Sequence, residues 1–249
     1  NHMLVQLHRV RLDGSGDRRL TDPKLTHRVD VSPDSKLFVD VEQAHDMPPV
    51  SRLRDLNGKL VAEIAASDLR DFDAEGLKRA EFFTYTSADG KTQLYGQLQF
   101  PSNFDPAKKY PALVSVYGGP SSNGLNENFV NANPLAEYGF LVVKLDARTN
   151  LGRGRKVLDT TYKQLGIAEI DDIAAGIRSL WSRPYFDRER VGMYGTSYGG
   201  TVSAAMVLRH PDTVQAASAS SPVTDYRLYD TVYSERHLGL PQTDADAYD

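Results

Sequence analysis

The stretch Arg190-Val191-Gly192-Met193-Tyr194-Gly195-Thr196-Ser197-Tyr198-Gly199-Gly200-Thr201 decides the reading of this chain. Arg190 to Tyr194 alternates and branches as a short strand should. From about Gly199 to Arg209 the pattern becomes helical, and His210-Pro211 ends it, because the residue before a proline avoids the helical region. A Gly-x-Ser-x-Gly string recurs by chance; a strand running straight into it and a helix straight out of it define the sharp turn known as a nucleophile elbow. The glycines have a steric reason. A serine held in a strained turn brings the positions two before and two after it against the neighbouring strand and helix, so Gly195 and Gly199 must lack side chains, and Gly200 lets the helix approach the sheet. Ser197 then stands at a helix N-terminus, where backbone N–H groups and the helix dipole favour a developing negative charge. The competing reading is a glycine-rich turn with an incidental serine.

Working outward, the chain before the elbow reads as strands alternating with helices. Glu81 to Ser87, the turn Ala88-Asp89-Gly90, and Thr92 to Pro101 form a hairpin. Ala112 to Gly118 and Phe140 to Asp146 are buried-looking strands, with a short helix from Pro134 to Tyr138 between them. Ile167, Ile170, Ile173, Ile177 and Trp181 recur at spacings of three and four, the signature of an amphipathic helix. Thr213 to Val223 is a further strand candidate. This grammar argues for βαβ units around a mostly parallel sheet. At the end of the strand from Ala112 stands Val116-Tyr117-Gly118-Gly119-Pro120. In a fold with a nucleophile elbow, one oxyanion donor comes from the loop after the third strand and another from the N–H following the nucleophile. Tyr117 is placed to offer its phenolic O–H, and Tyr198 its backbone N–H. A tyrosine packed at a strand end is the plainer reading of Tyr117 alone.

The first third differs in character. Val5 to Leu12, Arg28 to Ser32, Lys36 to Gln43, Ser51 to Leu56 and Lys59 to Ile64 read as short antiparallel strands, broken at Asp13-Gly14-Ser15-Gly16, Pro33-Asp34-Ser35, Pro48-Pro49 and Asn57-Gly58. The stretches RVRLDGSG and RLRDLNG place their turn glycines, Gly14 and Gly58, 44 residues apart, within the roughly 40 to 45 residues of a propeller blade. A propeller needs about 4 to 8 blades to close, so the blade reading makes this chain a part of something longer; two unrelated hairpins are the alternative.

Composition excludes several classes. With 249 residues, 40% hydrophobic, 25% charged and a net charge of −4, the chain is an ordinary globular sequence. It has no basic block for nucleic acid or an anionic membrane and no apolar run long enough to span a bilayer. The absence of cysteine removes disulfides, thiolate metal sites and a cysteine nucleophile. The opening Asn1-His2-Met3-Leu4 forms no signal peptide and does not look like a natural start.

Together these segments resemble the prolyl oligopeptidase family of serine peptidases, in its dipeptidyl peptidase IV branch. The resemblance rests on the blade-like first third, VYGGP, LGIAEIDDIAAGIRSLW from Leu165 to Trp181, GTSYGG, and SSPVTDYRLYDTVYSERHLGLP from Ser220 to Pro241. It implies a last β-propeller blade over residues 1–70, followed by an α/β-hydrolase fold over 71–249, present in its N-terminal part and incomplete at its C-terminal end. It also implies a serine exopeptidase that releases N-terminal dipeptides, preferably with proline second, through an acyl-enzyme on Ser197. Tyr229 and Tyr233 are carried over as walls of the slot that grips the proline ring, with Val223 and Tyr226 beside them; a tyrosine-rich helix packed in the core is the plainer reading of the same residues. Thr196 departs from the tryptophan of the mammalian enzymes. Peptide substrates, no metal, no organic cofactor, a homodimer in the full-length enzyme and a periplasmic or secreted location are further implications, while the residues themselves leave a cytoplasmic location open.

The elbow chemistry places acid and histidine after the nucleophile. His210 ends the elbow helix and His237 lies in the tyrosine-rich segment; neither follows a later strand, and both suit capping or surface roles, as do Asp225 and Asp230. The acid and base are therefore expected beyond Asp249. A tripeptidyl or acylaminoacyl peptidase or an esterase on the same fold, a catalytically incomplete fragment, and a non-catalytic interaction module stay open as alternatives.

Overall fold

The computed structural model describes residues 2–122 and 124–249; Asn1, at the head of the expected blade, lies outside them. In chain order the strands and helices are β1 (His8–Arg9), β2 (Arg18–Arg19), β3 (Thr26–Val31), β4 (Leu37–Ala44), β5 (Met47–Asp55), β6 (Leu60–Ala66), α1 (Arg70–Ala74), β7 (Glu81–Thr86), β8 (Gln93–Gln99), β9 (Tyr110–Ser115), β10 (Leu141–Leu145), α2 (Arg155–Leu158), α3 (Ala168–Ser179), β11 (Phe186–Thr196), α4 (Tyr198–Arg209), β12 (Ala216–Ser220) and α5 (Thr231–Leu238). The chain divides into two compact units, Asn1–Glu81 with Asn126–Ala132, and Phe82–Leu125 with Asn133–Asp249. Among the described residues no helix is long and apolar enough to cross a membrane.

The first unit holds a four-stranded sheet in the order β3-β4-β5-β6, antiparallel throughout, and a separate ribbon of β1 and β2. Only His8–Arg9 of the expected first strand pairs in a ladder. Its earlier N–H groups are satisfied by threonine hydroxyls instead, Val5 by Thr26 at 3.1 Å and Leu7 by Thr21 at 3.0 Å. The expected break at Pro48-Pro49 is corrected: β5 runs through both prolines, and the chain turns at His45–Asp46. The β4–β5 register shifts between Glu42 and Ala44, so the prolines lie at a bulge, where a missing N–H is tolerated.

The buried face of β4 carries Phe38, Asp40 and Glu42, not the flanking valines. Such burial needs partners. Asp40 meets His27 Nδ1 at 2.7 Å and Arg54 Nε at 2.9 Å, and Glu42 accepts from Arg54 Nη2 at 2.7 Å. Residues 126–132 join this unit through side chains: Glu127 meets His45 Nδ1 at 2.6 Å, and Phe129 packs against Phe72 with centroids 6.2 Å apart beneath the Arg79 guanidinium.

The second unit is a six-stranded mixed sheet in the order β12-β11-β9-β10-β8-β7. β12, β11, β9 and β10 run parallel, and β8 pairs antiparallel with β10. The exchange of β9 and β10 relative to chain order puts β11, which leads to the elbow, beside β9, which leads to Tyr117. The stripe of α3 packs as its spacing requires: Ile170, Ile173 and Ile177 are fully buried with Val114, Val143, Val202 and Met206, each contributing roughly 1.5–3 kcal/mol of burial. Ile167 lies outside the stripe, half exposed at the helix start, and Trp181 belongs to a short 3₁₀ turn after α3.

Candidate active site

Ser197 caps the N-terminus of α4 with φ 60° and ψ −123°, a positive-φ backbone that is costly for a residue with a side chain. Its N–H donates to the Ser220 carbonyl at 2.9 Å, and its own carbonyl accepts from Thr201 N–H at 3.1 Å. The glycines act as their spacing suggests. A Cβ on Gly195 would lie 2.5 Å from the Gly199 carbonyl oxygen and 2.6 Å from that of Val116, and one on Gly199 would overlap the Val116 carbonyl and lie 3.0 Å from the Tyr117 Cα. On Gly200 it would strike the Ser220 carbonyl at the end of β12.

The loop after β9 is stitched to the elbow strand by Val116 N–H, which donates to the Tyr194 carbonyl at 3.1 Å. Tyr117 is 48% exposed, with its ring centroid 6.3 Å from that of Tyr198. Gly119 makes room for it: a Cβ there would be 2.5 Å from the Tyr117 ring. Thr149 fixes the turn by donating to the Gly118 carbonyl at 2.9 Å.

The tyrosines of the segment after β12 form one cluster. Tyr226 and Tyr233 stack with centroids 6.3 Å apart and planes within 13°, Tyr229 meets Tyr233 edge-on at 5.6 Å, and His237 lies 4.7 Å from Tyr233. Tyr229 is 43% exposed. The Tyr233 hydroxyl is buried and makes no hydrogen bond among the described residues. Burial pushes its pKa well up, with Tyr117 and Tyr229 adding to the rise; burial likewise raises Tyr226, with Tyr233 and Glu169 next. Both phenols therefore stay neutral and can donate. Val223 is latched to α4, since its N–H donates to Thr201 Oγ1 and Thr201 Oγ1 donates to its carbonyl, both at 2.9 Å.

The histidines take structural places. His210 caps the end of α4 with Nε2 2.9 Å from Asp171. His237 packs on Tyr233, and burial followed by the Arg236 charge lowers its pKa. Among the described residues no histidine or carboxylate hydrogen-bonds the Ser197 hydroxyl. Asp225 and Asp230 are caps, accepting from Arg227 N–H at 2.9 Å and Tyr233 N–H at 2.8 Å. The described residues bring His27, Asp40 and Glu42 close enough to share an ion, but Arg54 already engages both carboxylates. Sequence reasoning passed over Glu169, which is buried in the first turn of α3 and accepts from the Tyr198 phenol. Its only local signal is an acidic residue at a helix start.

The fold is shared with dipeptidyl peptidase 4-type structures. Porphyromonas gingivalis dipeptidyl peptidase 4 superposes with a TM-score of 0.85 and 26% identity, over 100% of this chain and 36% of its own. A Bacteroides ovatus candidate dipeptidyl aminopeptidase IV gives 0.84 and 32%, over 93% of this chain and 34% of its own. Residues 127–249 match the model of the prolyl oligopeptidase family. Human dipeptidyl peptidase 8 is 38% identical over 174 residues, 68% of this chain and 19% of its own length; a protein of Fusarium vanettenii assigned as dipeptidyl-aminopeptidase B is 33% identical over 255 residues, 98% of this chain and 28% of its own. The chain belongs to the prolyl oligopeptidase family, and it spans between 19% and 36% of the lengths of these relatives.

Proposed function

We propose that the chain carries the nucleophile and the proline slot of a serine exopeptidase that releases N-terminal dipeptides. Residues 1–70 form the last blade of a β-propeller, and 71–249 the N-terminal part of an α/β-hydrolase domain. The observation that carries this reading is the backbone of Ser197, held at φ 60° at the head of α4 between glycines that admit no side chain. Strain of that kind persists only where the surroundings over-determine it, and it gathers at reacting centres.

The chemistry is acyl transfer. Ser197 Oγ attacks the carbonyl after the second residue of a peptide and passes its proton to a histidine acting as general base. The tetrahedral oxyanion is held by the Tyr117 O–H and the Tyr198 backbone N–H, each such donor being worth roughly 3 to 4 kcal/mol. The leaving amine takes the proton, the acyl group stays on Ser197, and water releases it. Tyr226, Tyr229 and Tyr233 offer flat apolar faces that suit a compact ring, and Val223 closes the slot beside them.

A fluorophosphonate probe followed by intact mass tests the nucleophile. In the active full-length enzyme one adduct, lost in Ser197→Ala, is expected; an adduct that survives the substitution, or none in the unsubstituted enzyme, overturns the assignment. A pair of dipeptide amides differing only in proline or alanine second then tests the slot, since an esterase or acylaminoacyl peptidase on this fold need not prefer proline.

A further inference from the structure

Tyr198 faces two ways. Its backbone N–H lies beside Ser197 at the head of α4, while its ring turns into the core and is 3% exposed. There the phenol O–H donates to Glu169 Oε1. Gly166 N–H donates to the same carboxylate oxygen at 2.7 Å and to the phenol oxygen at 3.2 Å. Glu169 is fully buried, and its second oxygen, Oε2, has no hydrogen-bond partner among the described residues. A buried carboxylate oxygen without a partner is costly, and apolar packing at this position would fold as well. Burial also pushes the carboxyl pKa up, partly offset by the Tyr198 hydrogen bond.

The far end of α4 is fastened to the same segment. The Arg209 guanidinium donates to the Gly166 carbonyl, and Arg209 and His210 reach Asp171 at 3.2 and 2.9 Å. Residues 166–171 thus hold α4 at its first residue and at its last, with Glu169 gripping the first.

We infer that Glu169 is a positioning residue of the site: its hold on the Tyr198 phenol fixes the peptide joining Ser197 to Tyr198, and with it the aim of the Tyr198 N–H. The inference rests on the reading of Ser197 as nucleophile. That peptide follows the strained φ of Ser197, which relaxes unless neighbouring contacts prevent it. The ring of Tyr198 is the longest lever on the peptide, and Glu169 pins its far end. An oxyanion donor works only when its N–H is aimed at the developing charge beforehand.

The test compares Glu169→Ala, Glu169→Gln, Tyr198→Phe and the double variant Glu169→Ala/Tyr198→Phe in the active enzyme. kcat is taken per site titrated with a fluorophosphonate, so that loss of folded protein does not count. Tyr198→Phe removes one O–H and keeps both ring and backbone N–H. Expected is a fall in kcat of about tenfold in Glu169→Ala and in Tyr198→Phe, with KM within about twofold. The double variant should be no worse than either single, because both break one contact, and Glu169→Gln, whose amide oxygen still accepts, should recover to within about threefold. Should Glu169→Ala fail to fold, Tyr198→Phe and Glu169→Gln carry the test. Full kcat per site in Tyr198→Phe, or losses that multiply in the double variant, overturn the inference while leaving Ser197 in its role. An unsubstituted protein with no Ser197-dependent adduct or turnover overturns both.

Discussion

The carbonyl of Val116 lies over Gly199 so closely that no Cβ fits between them. Val116 ends the run that leads to Tyr117, and Gly199 is two residues past Ser197, so this contact sets the distance between the loop after β9 and the elbow. Gly199→Ala should therefore push the two apart. We expect a loss of roughly 2 kcal/mol or more in denaturant unfolding together with loss of fluorophosphonate labelling. Unchanged unfolding would show that the helix can slide, and would remove the steric argument for the elbow.

Tyr117→Phe separates the phenol from the ring. Tyr117 is about half exposed, so stability should hold within about 0.5 kcal/mol. If its O–H stabilises the oxyanion, kcat falls by about a hundredfold to a thousandfold with little change in KM. A kcat within twofold of the unsubstituted enzyme would return Tyr117 to a packing role.

Tyr233→Ala opens the slot on the side of Tyr226 and Tyr229, with which its ring is in contact. The ratio of kcat/KM for proline over alanine substrates should drop by about tenfold or more, the scale set by apolar pocket contacts. An unaltered ratio with both substrates equally slowed would place the ring in the core instead.

The pairing of His45 with Glu127 gives the first unit a pH dependence. The Glu127 hydrogen bond raises the imidazole above its usual value, against an opposing contribution from burial. A raised histidine stabilises fully below its unfolded value, near 6.5, and that contribution fades as pH climbs through the folded one. As pH climbs above about 6.5, amide exchange within 126–132, taken relative to its intrinsic base-catalysed rate at each pH, should quicken. Glu127→Gln should flatten this trend, and a trend that persists in the variant would assign it to another group.

Asp40→Asn tests the buried network of β4. His27 and Arg54 both lose the Asp40 charge, although Arg54 keeps Glu42, and breaking one member of a buried ion pair costs about 3–5 kcal/mol. Calorimetry should show the transition of this unit moving down, with the Ser197 site still labelled at its usual rate. A loss below about 1 kcal/mol would mean that water, not the sheet, surrounds these groups.

What could be read along the chain was set by neighbours in sequence. The elbow follows from glycines two residues either side of Ser197, a spacing legible in the sequence, although the atoms that exclude their side chains include the distant carbonyl of Val116. The burial of Ile170, Ile173 and Ile177 follows from helical spacing, and the tight turns from their glycines and aspartates. The segment after β12 yielded its tyrosines through a family resemblance rather than through spacing, since aromatics at such intervals suit a core as well as a pocket.

The tertiary structure decided the rest. Placing β9 between β10 and β11 is a choice of pairing partner, and strand periodicity carries no information about it. The bulge that admits Pro48 and Pro49 depends on the opposing strand β4. The grip of Glu169 on Tyr198 joins residues 29 positions apart, and Phe129 finds Phe72 across a still longer separation. Local sterics and periodicity fix which residues bend, cap and bury, and they act within a few residues. Which of the buried groups meet is settled only when whole elements pack, because that choice is made by the summed contacts of all of them.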